Sequence, residues 1–104
     1  MYIRPLVSIV DDDESVRESL PDLLKEFGFV PQAFASAEEF LASEYLVQTK
    51  CLILDIAMPG MSGLDLEREL ALRQQSIPII FVTGHGDQTV RPHILAREIG
   101  RAHV

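Results

Sequence analysis

The chain has 104 residues, which is enough for one domain with one hydrophobic core and too few for two. Hydrophobic residues make up 47% of the composition, and the formal net charge of −7 opposes contact with a nucleic-acid backbone, so direct DNA or RNA binding is not expected. The first apolar run, residues 6–10, is too short for a signal peptide or a membrane span. The single cysteine excludes an internal disulfide. We therefore expect a cytoplasmic protein without membrane attachment.

Strand-like and helix-like patterns alternate along the chain, which is typical of βαβ units and a parallel sheet. Leu6 to Val10 is a continuous apolar run, as expected for a strand that is buried on both faces. A helical stripe follows and ends at Gly28. Pro21 lies inside this stripe and is expected to kink the helix or to cost about 3 kcal/mol. The apolar members of the stripe, which we expect to face inward, are Val16, Leu20, Leu23, Leu24 and Phe27.

The next strand and helix are predicted between residues 29 and 41. Phe29 to Phe34 has the composition of a strand, and its Pro31 suits only an edge position in a sheet. Ser36 and Glu39 have the spacing of a capping box and predict the start of a helix. That helix is expected to bury Phe40 and Leu41.

Two more strands are predicted in the second half of the chain. The third strand is Cys51 to Asp55, and the fourth is Ile77 to Val82. Between them, Ser62 is placed to cap a helix that carries several leucines. After residue 83 the pattern weakens: no fifth strand is visible, and His93 to Arg101 is expected to form at most a short helix.

Three of the predicted strands end in residues that can act together on a phosphoryl group. Asp11 and Asp12 follow the first strand, Asp55 ends the third, and Thr83 and Gly84 follow the fourth. In a parallel sheet these endings share the carboxyl edge, where clustered carboxylates need a cation such as Mg²⁺. The pattern predicts Asp55 as a nucleophile that forms an aspartyl phosphate. Thr83 would then donate a hydrogen bond to a phosphoryl oxygen, and Gly84 would leave room for it.

Simpler explanations exist for several residues taken alone, whereas Asp55 alone favours a function, because a carboxylate that ends an apolar run is unusual without one. Asp11 to Glu14 can serve as an acidic cap that favours the positive end of a helix. Thr83 can be an ordinary strand-end residue, and Cys51 is more often a small packing residue than a nucleophile. The histidines lack the spacing of a zinc site. They are His85, His93 and His103.

In combination, these residues resemble the receiver domain of a two-component response regulator, and in particular the nitrogen-fixation type of regulator. The matching stretches are residues 9–14, 54–63 and 82–87, and the resemblance runs from about Leu6 to Asp87. It implies an α/β, flavodoxin-like, doubly wound parallel sheet. We expect the strand order 2-1-3-4, with the fifth strand and fifth helix of the family missing or replaced.

The resemblance also implies a function. Asp55 would accept a phosphoryl group from the phosphohistidine of a sensor histidine kinase, in a phosphorelay. Asp12, Asp55 and the Ala57 carbonyl would bind Mg²⁺, Asp11 would act through water, and Thr83 would turn towards the phosphoryl group. The protein would be a signalling phosphoacceptor that assists only its own phosphorylation and dephosphorylation, and not an enzyme in the ordinary sense.

The end of the chain departs from the family pattern, which has a Lys-Pro pair at the end of the fifth strand. No lysine follows Lys50 here, and Arg91, Arg97 and Arg101 are the only cations we can suggest in its place. Residues 1–87 carry six Lys and Arg against fifteen Asp and Glu, whereas residues 88–104 carry three Arg against one Glu. We therefore expect a receiver-like core over residues 1–87 and an atypical basic tail over residues 88–104, which is truncated or altered and not an independent domain.

These sequence features lead to three hypotheses about the function. The first is the phosphoacceptor, and the alternative is a phosphorylation-impaired receiver that acts as a protein-interaction module. A metal-dependent phosphatase ranks last, because that class uses a second Asp two residues after the nucleophile and position 57 is Ala. Without a fifth strand, the edge of the fourth strand invites self-association.

Overall fold

The structure, a computed structural model, describes residues 4–82. It contains a four-stranded parallel sheet in the order β2-β1-β3-β4, which confirms the predicted order and fold class. Our predictions for Thr83, Gly84 and residues 88–104 lie outside the described residues. The strands are β1 (Leu6–Val10), β2 (Val30–Phe34), β3 (Cys51–Asp55) and β4 (Ile79–Val82). The helices are α1 (Glu14–Glu26), α2 (Ala37–Leu41) and α3 (Gly63–Leu72), and a 3₁₀ turn covers Leu46–Gln48.

The main core lies on one face of the sheet. Val10, Leu54 and Phe81 share this face, because the strand register pairs Val10 with Leu54 and Leu54 with Phe81. All three side chains are fully buried. Helices α2 and α3 cover them with Phe40, Leu66 and Leu70. This packing fixes the ends of β1, β3 and β4 relative to one another.

The opposite face of the sheet is closed less completely. Ile9, Ile53 and Ile80 form a row across β1, β3 and β4 on this face. Ile9 is fully buried, Ile53 is partly buried, and Ile80 is 47% exposed. Helix α1 packs against β2 and contributes no residue to the main core. Within residues 4–82, therefore, this face becomes more open towards β4.

Helix α1 confirms the predicted helix but corrects its inner stripe. It runs without a break through Pro21, and Gly28, at a φ of +91°, follows its end as predicted. Leu23, however, is 49% exposed and Phe27 is 70% exposed, so these two residues do not face inward. α1 packs against β2, and none of its residues is fully buried.

The remaining boundaries differ from prediction by one or two residues. β2 lies at the edge of the sheet, as Pro31 requires, and β4 begins only after Pro78. The Ser36 hydroxyl accepts from the Glu39 amide at 3.1 Å, as predicted, but the Glu39 carboxylate accepts from the Ala35 amide instead of closing the box on Ser36. No helix within residues 4–82 combines the length and apolarity needed to span a membrane.

One buried polar pair ties β1 to the segment before β3. The hydroxyls of Ser8 and Thr49 lie 2.7 Å apart, and both residues are buried. Thr49 Oγ1 also donates to the carbonyl of Tyr45 at 2.7 Å. A threonine hydroxyl has a single hydrogen, so Ser8 must be the donor in its bond to Thr49. The two bonds form a directed chain from Ser8 through Thr49 to Tyr45.

Candidate functional site

The loop between β1 and α1 is fixed by hydrogen bonds to its own carboxylates. The Asp11 amide donates to the Phe34 carbonyl at 3.1 Å, which extends the contact between β1 and β2 by one residue. Asp11 Oδ1 accepts from the Asp13 amide, and Asp13 Oδ1 accepts from the Ser15 amide, both at 2.8 Å. Asp13 is therefore the N-cap of α1. The capping explanation holds for Asp13 and does not account for Asp11 and Asp12.

Asp55 lies at the end of β3, in the middle of the sheet, and is 1% exposed. Its Oδ1 accepts a hydrogen bond from the Ala57 amide at 3.1 Å. The next residue, Ile56, donates its amide to the Val82 carbonyl at 3.0 Å and so holds the loop against the end of β4. Asp55 is thus a buried carboxylate whose backbone and side chain are both held in place.

The carboxylates of Asp11, Asp12 and Asp55 converge. Each offers one oxygen, and these oxygens all lie within 4.8 Å of one another. Asp11 and Asp55 are buried, whereas Asp12 is exposed. At that distance two unit charges repel by roughly 3 kcal/mol at an effective dielectric constant of about 20. Three carboxylates held this close favour a cation between them.

The donor set fits a hard divalent cation. Carboxylate oxygens are the ligands that Mg²⁺ and Ca²⁺ prefer, and oxygens on opposite sides of such an ion lie about 4 to 5 Å apart. The 4.8 Å limit falls in this range. Three carboxylates leave further positions for water and a phosphoryl oxygen, and Mg²⁺ retains several waters in its protein sites. The residues present therefore fit the predicted Mg²⁺ site.

The structure brings together three of the residues predicted for this site, Asp11, Asp12 and Asp55, and places Ala57 beside Asp55 through its amide. Arg17 was not predicted as part of this site, yet its Nη1 donates to the Asp11 carbonyl at 2.9 Å. Its position one turn into the helix that follows the Asp run was the available signal, since a long side chain there reaches back over the loop. Gly63, which lies against the Asp55 backbone, was not predicted either.

Cys51 is not part of the carboxylate site. It begins β3, whereas Asp55 ends the strand, and its side chain is partly buried. Burial raises the pKa of the Cys51 thiol, and a smaller opposing effect comes from a hydrogen bond with the Leu52 backbone. A thiol with a raised pKa stays protonated and is a poor nucleophile. This agrees with the interpretation of Cys51 as a packing residue.

Comparison with known proteins agrees with this geometry. The sequence profile of the response regulator receiver domain matches residues 7–101. The chain belongs to this family. The receiver is 49% identical over 90 residues to Nodulation protein W of Bradyrhizobium diazoefficiens. The aligned region covers 85% of this chain and 40% of that protein. It thus spans about 40% of the length of the curated relative. The match extends past Asp87, and the domain boundary that we predicted there stays a prediction.

Two solved structures are similar to the receiver. FixJ-N matches with a TM-score of 0.72 at 39% identity, over 97% of this chain and 77% of that chain. TrrA from Thermotoga maritima, solved in complex with Mg²⁺ and BeF, matches with a TM-score of 0.72 at 28% identity, over 94% of this chain and 80% of that chain. These likenesses confirm the predicted family and its nitrogen-fixation type. Receivers are signalling modules of two-component systems, in which response regulators partner with sensor histidine kinases.

Proposed function

We propose that this receiver accepts a phosphoryl group on Asp55 from the phosphohistidine of a sensor histidine kinase, with the help of Mg²⁺. The observation that carries the proposal is the convergence of the Asp11, Asp12 and Asp55 carboxylates within 4.8 Å at the carboxyl edge of the sheet. In the transfer, a carboxylate oxygen of Asp55 forms a bond to phosphorus while the phosphorus–nitrogen bond breaks. The electron pair of that bond returns to the histidine nitrogen.

Each residue of the site has a proposed role. Asp11, Asp12, Asp55 and the Ala57 carbonyl hold Mg²⁺, and the bound ion neutralises the carboxylates and screens the charge of the incoming phosphoryl group. The Ala57 amide, which donates to Asp55 Oδ1, restricts rotation of that carboxylate. Thr83 would donate a hydrogen bond to a phosphoryl oxygen, and Gly84 would leave room for it. The TrrA complex with Mg²⁺ and BeF supports this assignment by family likeness.

Phosphorylation of Asp55 would act as a switch. A covalent phosphoryl group stabilises the conformation in which Thr83 bonds to it, so the population of that conformation rises. The change would be passed to a partner protein at the surface beyond Thr83. We place this signalling in the cytoplasm, where a single unpaired cysteine such as Cys51 stays reduced.

The alternative function is a phosphorylation-impaired receiver that binds partner proteins. It would apply if no side chain of the protein supplied the positive charge that the family lysine provides. Among the described residues, Arg17 is engaged with the Asp11 carbonyl next to the carboxylates. Whether an arginine can replace the family lysine decides between the two functions.

Intact mass spectrometry separates these functions. The full chain is incubated with acetyl phosphate and Mg²⁺, beside Asp55→Asn and the matched control Asp22→Asn, which changes an exposed carboxylate on α1. One phosphate adduct in the wild type and in Asp22→Asn, but none in Asp55→Asn, supports the phosphoacceptor. No adduct with retained kinase binding supports the interaction module. Steady hydrolysis of a phosphoester would instead indicate the phosphatase.

We also propose that the receiver self-associates through β4. Within residues 4–82, β4 pairs with β3 on one side and with no strand on the other. Its Ile80 is 47% exposed, so the strand offers apolar surface together with backbone groups. Unpaired strand edges of this kind are templates for pairing with a second chain.

A further inference from the structure

Gly63, the first residue of α3, lies against the backbone of the residue that carries the proposed phosphoacceptor. It is buried, and a Cβ atom built on it would lie 2.5 Å from the Asp55 carbonyl oxygen and 2.9 Å from Ile56 Cα. Real Cβ atoms essentially never make contacts under 3.0 Å. The backbone of Gly63 does not have a positive φ, unlike that of Gly28 and Gly60. The glycine is required here by space and not by its dihedral angles.

The atoms that would clash with a side chain at position 63 cannot rotate away, because they belong to the backbone. Gly63 and Ile56 are also joined directly, since the Gly63 amide donates to the Ile56 carbonyl at 3.0 Å. Any side chain at position 63 must therefore displace the end of β3, the start of α3, or both.

The two elements that meet at Gly63 are each held firmly. β3 is paired with β1 on one side and β4 on the other. Helix α3 is anchored in the main core by Leu66 and Leu70, and its first turn is fixed by the reciprocal bonds between Ser62 and Asp65. Residues 56–62 connect the two elements and belong to neither strand nor helix. A displacement forced at position 63 is expected to appear there.

We propose that Gly63 is a positioning residue for the metal and phosphoacceptor site. Its lack of a side chain lets α3 close on the Asp55 carbonyl, and this contact sets where the Asp55 carboxylate and the Ala57 carbonyl lie relative to Asp11 and Asp12. This inference rests on the proposed function, because it assigns Gly63 to the geometry of the same site.

A general loss of stability is the competing explanation for any defect of a Gly63 variant, and Gly28 supplies the matched control. Gly28 has a φ of +91° and no atom within 4 Å of a built Cβ. An alanine there strains the backbone without a steric clash. Gly28 precedes β2, whose Val30 amide bonds to Pro5 at the amino end of β1, so it lies at the opposite edge of the sheet from Asp55.

The test is a calorimetric Mg²⁺ titration of the full chain as wild type, Gly63→Ala and Gly28→Ala, with thermal melts of all three. We expect both variants to melt at lower temperature. Only Gly63→Ala should lose Mg²⁺ affinity, by roughly 10- to 100-fold, the range typical for residues that orient metal ligands. Equal Mg²⁺ affinity of Gly63→Ala and the wild type would overturn the inference, as would an equal loss of affinity in Gly28→Ala.

A second readout separates failure of this inference from failure of the proposed function. If the wild type binds no Mg²⁺, the proposed function fails, and the position of the loop is then followed by the NMR shift of the Ala57 amide, which donates to Asp55 Oδ1. Gly63→Ala should move that signal and Gly28→Ala should not, and an unmoved signal overturns the inference.

If Gly63→Ala is unfolded, trimethylamine N-oxide is added to restore folding before the titration. A variant that stays unfolded there, while Gly28→Ala is folded, would show that the role of Gly63 is purely structural.

Discussion

Asp11 directly follows Val10 and Asp55 directly follows Leu54, and Val10 pairs with Leu54 across β1 and β3. The parallel register of β1 and β3 therefore places the two carboxylates side by side. The third carboxylate, that of Asp12, follows directly along the chain and stays within 4.8 Å of both. The geometry of the proposed site is thus a consequence of strand register and does not depend on a long loop.

The buried hydroxyl pair should make unequal contributions to stability. Ser8→Ala removes one hydrogen bond but keeps the bond from Thr49 to Tyr45, so we expect a loss of about 1 kcal/mol in the free energy of unfolding. Thr49→Val leaves the Ser8 donor and the Tyr45 carbonyl without that partner and should cost more, about 2 to 3 kcal/mol. Urea denaturation of both variants and of the double variant measures this. Equal losses would contradict the direction assigned to the two bonds.

Two leucines in α3 provide a matched test of the core. Leu70 is buried in the main core, whereas Leu72 is 74% exposed on the same helix. Leu70→Ala should lower the free energy of unfolding by about 2 to 5 kcal/mol, because it leaves a cavity between α3 and the sheet. Leu72→Ala should change it by less than about 0.5 kcal/mol. Chemical denaturation of both variants checks the difference, and similar values would place the core elsewhere.

The N-terminal cap of α3 should make stability depend on pH. The Ser62 amide donates to the Asp65 carboxylate at 3.2 Å, and chiefly for this reason the pKa of Asp65 is lowered from its ordinary value of 3.8. A carboxyl whose pKa is lower in the folded state stabilises the fold above its unfolded pKa, and this stabilisation is lost as the pH falls through the folded pKa. The difference in unfolding free energy between wild type and Asp65→Asn should therefore be larger at about pH 6 than at about pH 3.

Urea denaturation at the two pH values measures this dependence. Glu44→Gln, which changes an exposed carboxylate outside the helix caps, supplies the baseline for the loss of one acidic group. A difference for Asp65→Asn that stays the same at both pH values would contradict the role of the cap.

Self-association through β4 predicts a concentration-dependent change in size. Sedimentation velocity of the wild type at rising protein concentration should show a shift from monomer to a larger species. Ile80→Lys should reduce that shift, because a charge on an edge strand opposes pairing with another chain. Leu72→Lys, which adds the same charge at an exposed site on α3, should leave it unchanged. A wild type that stays monomeric throughout would rule out the proposed interface.

β1 and β3 were predictable because each is a short apolar run with a clear end. β1 and β3 have the predicted bounds, and both end directly before or at the aspartates of the site. The exposure of Leu23 and Phe27 was not predictable, because a periodic stripe shows which side of a helix is apolar but not how much of it the neighbouring elements cover.

The supporting residues of the site were harder to find from the sequence. Arg17 and Gly63 act through contacts with the backbone of Asp11 and Asp55, and such contacts leave no periodic pattern. A glycine at the first position of a helix, directly after the Ser62 cap, was the only hint of close approach at α3. Distances between elements decide these roles, and a single sequence does not contain them.

Identifying the phosphorylated residue tests the central claim most directly. After incubation with acetyl phosphate and Mg²⁺, borohydride reduces an aspartyl phosphate to homoserine, and peptide mass mapping then locates the changed residue. We predict homoserine at position 55, with Asp11 and Asp12 unchanged in the same digest. Homoserine at Asp11 or Asp12, or at an exposed carboxylate outside the cluster, would contradict Asp55 as the phosphoacceptor.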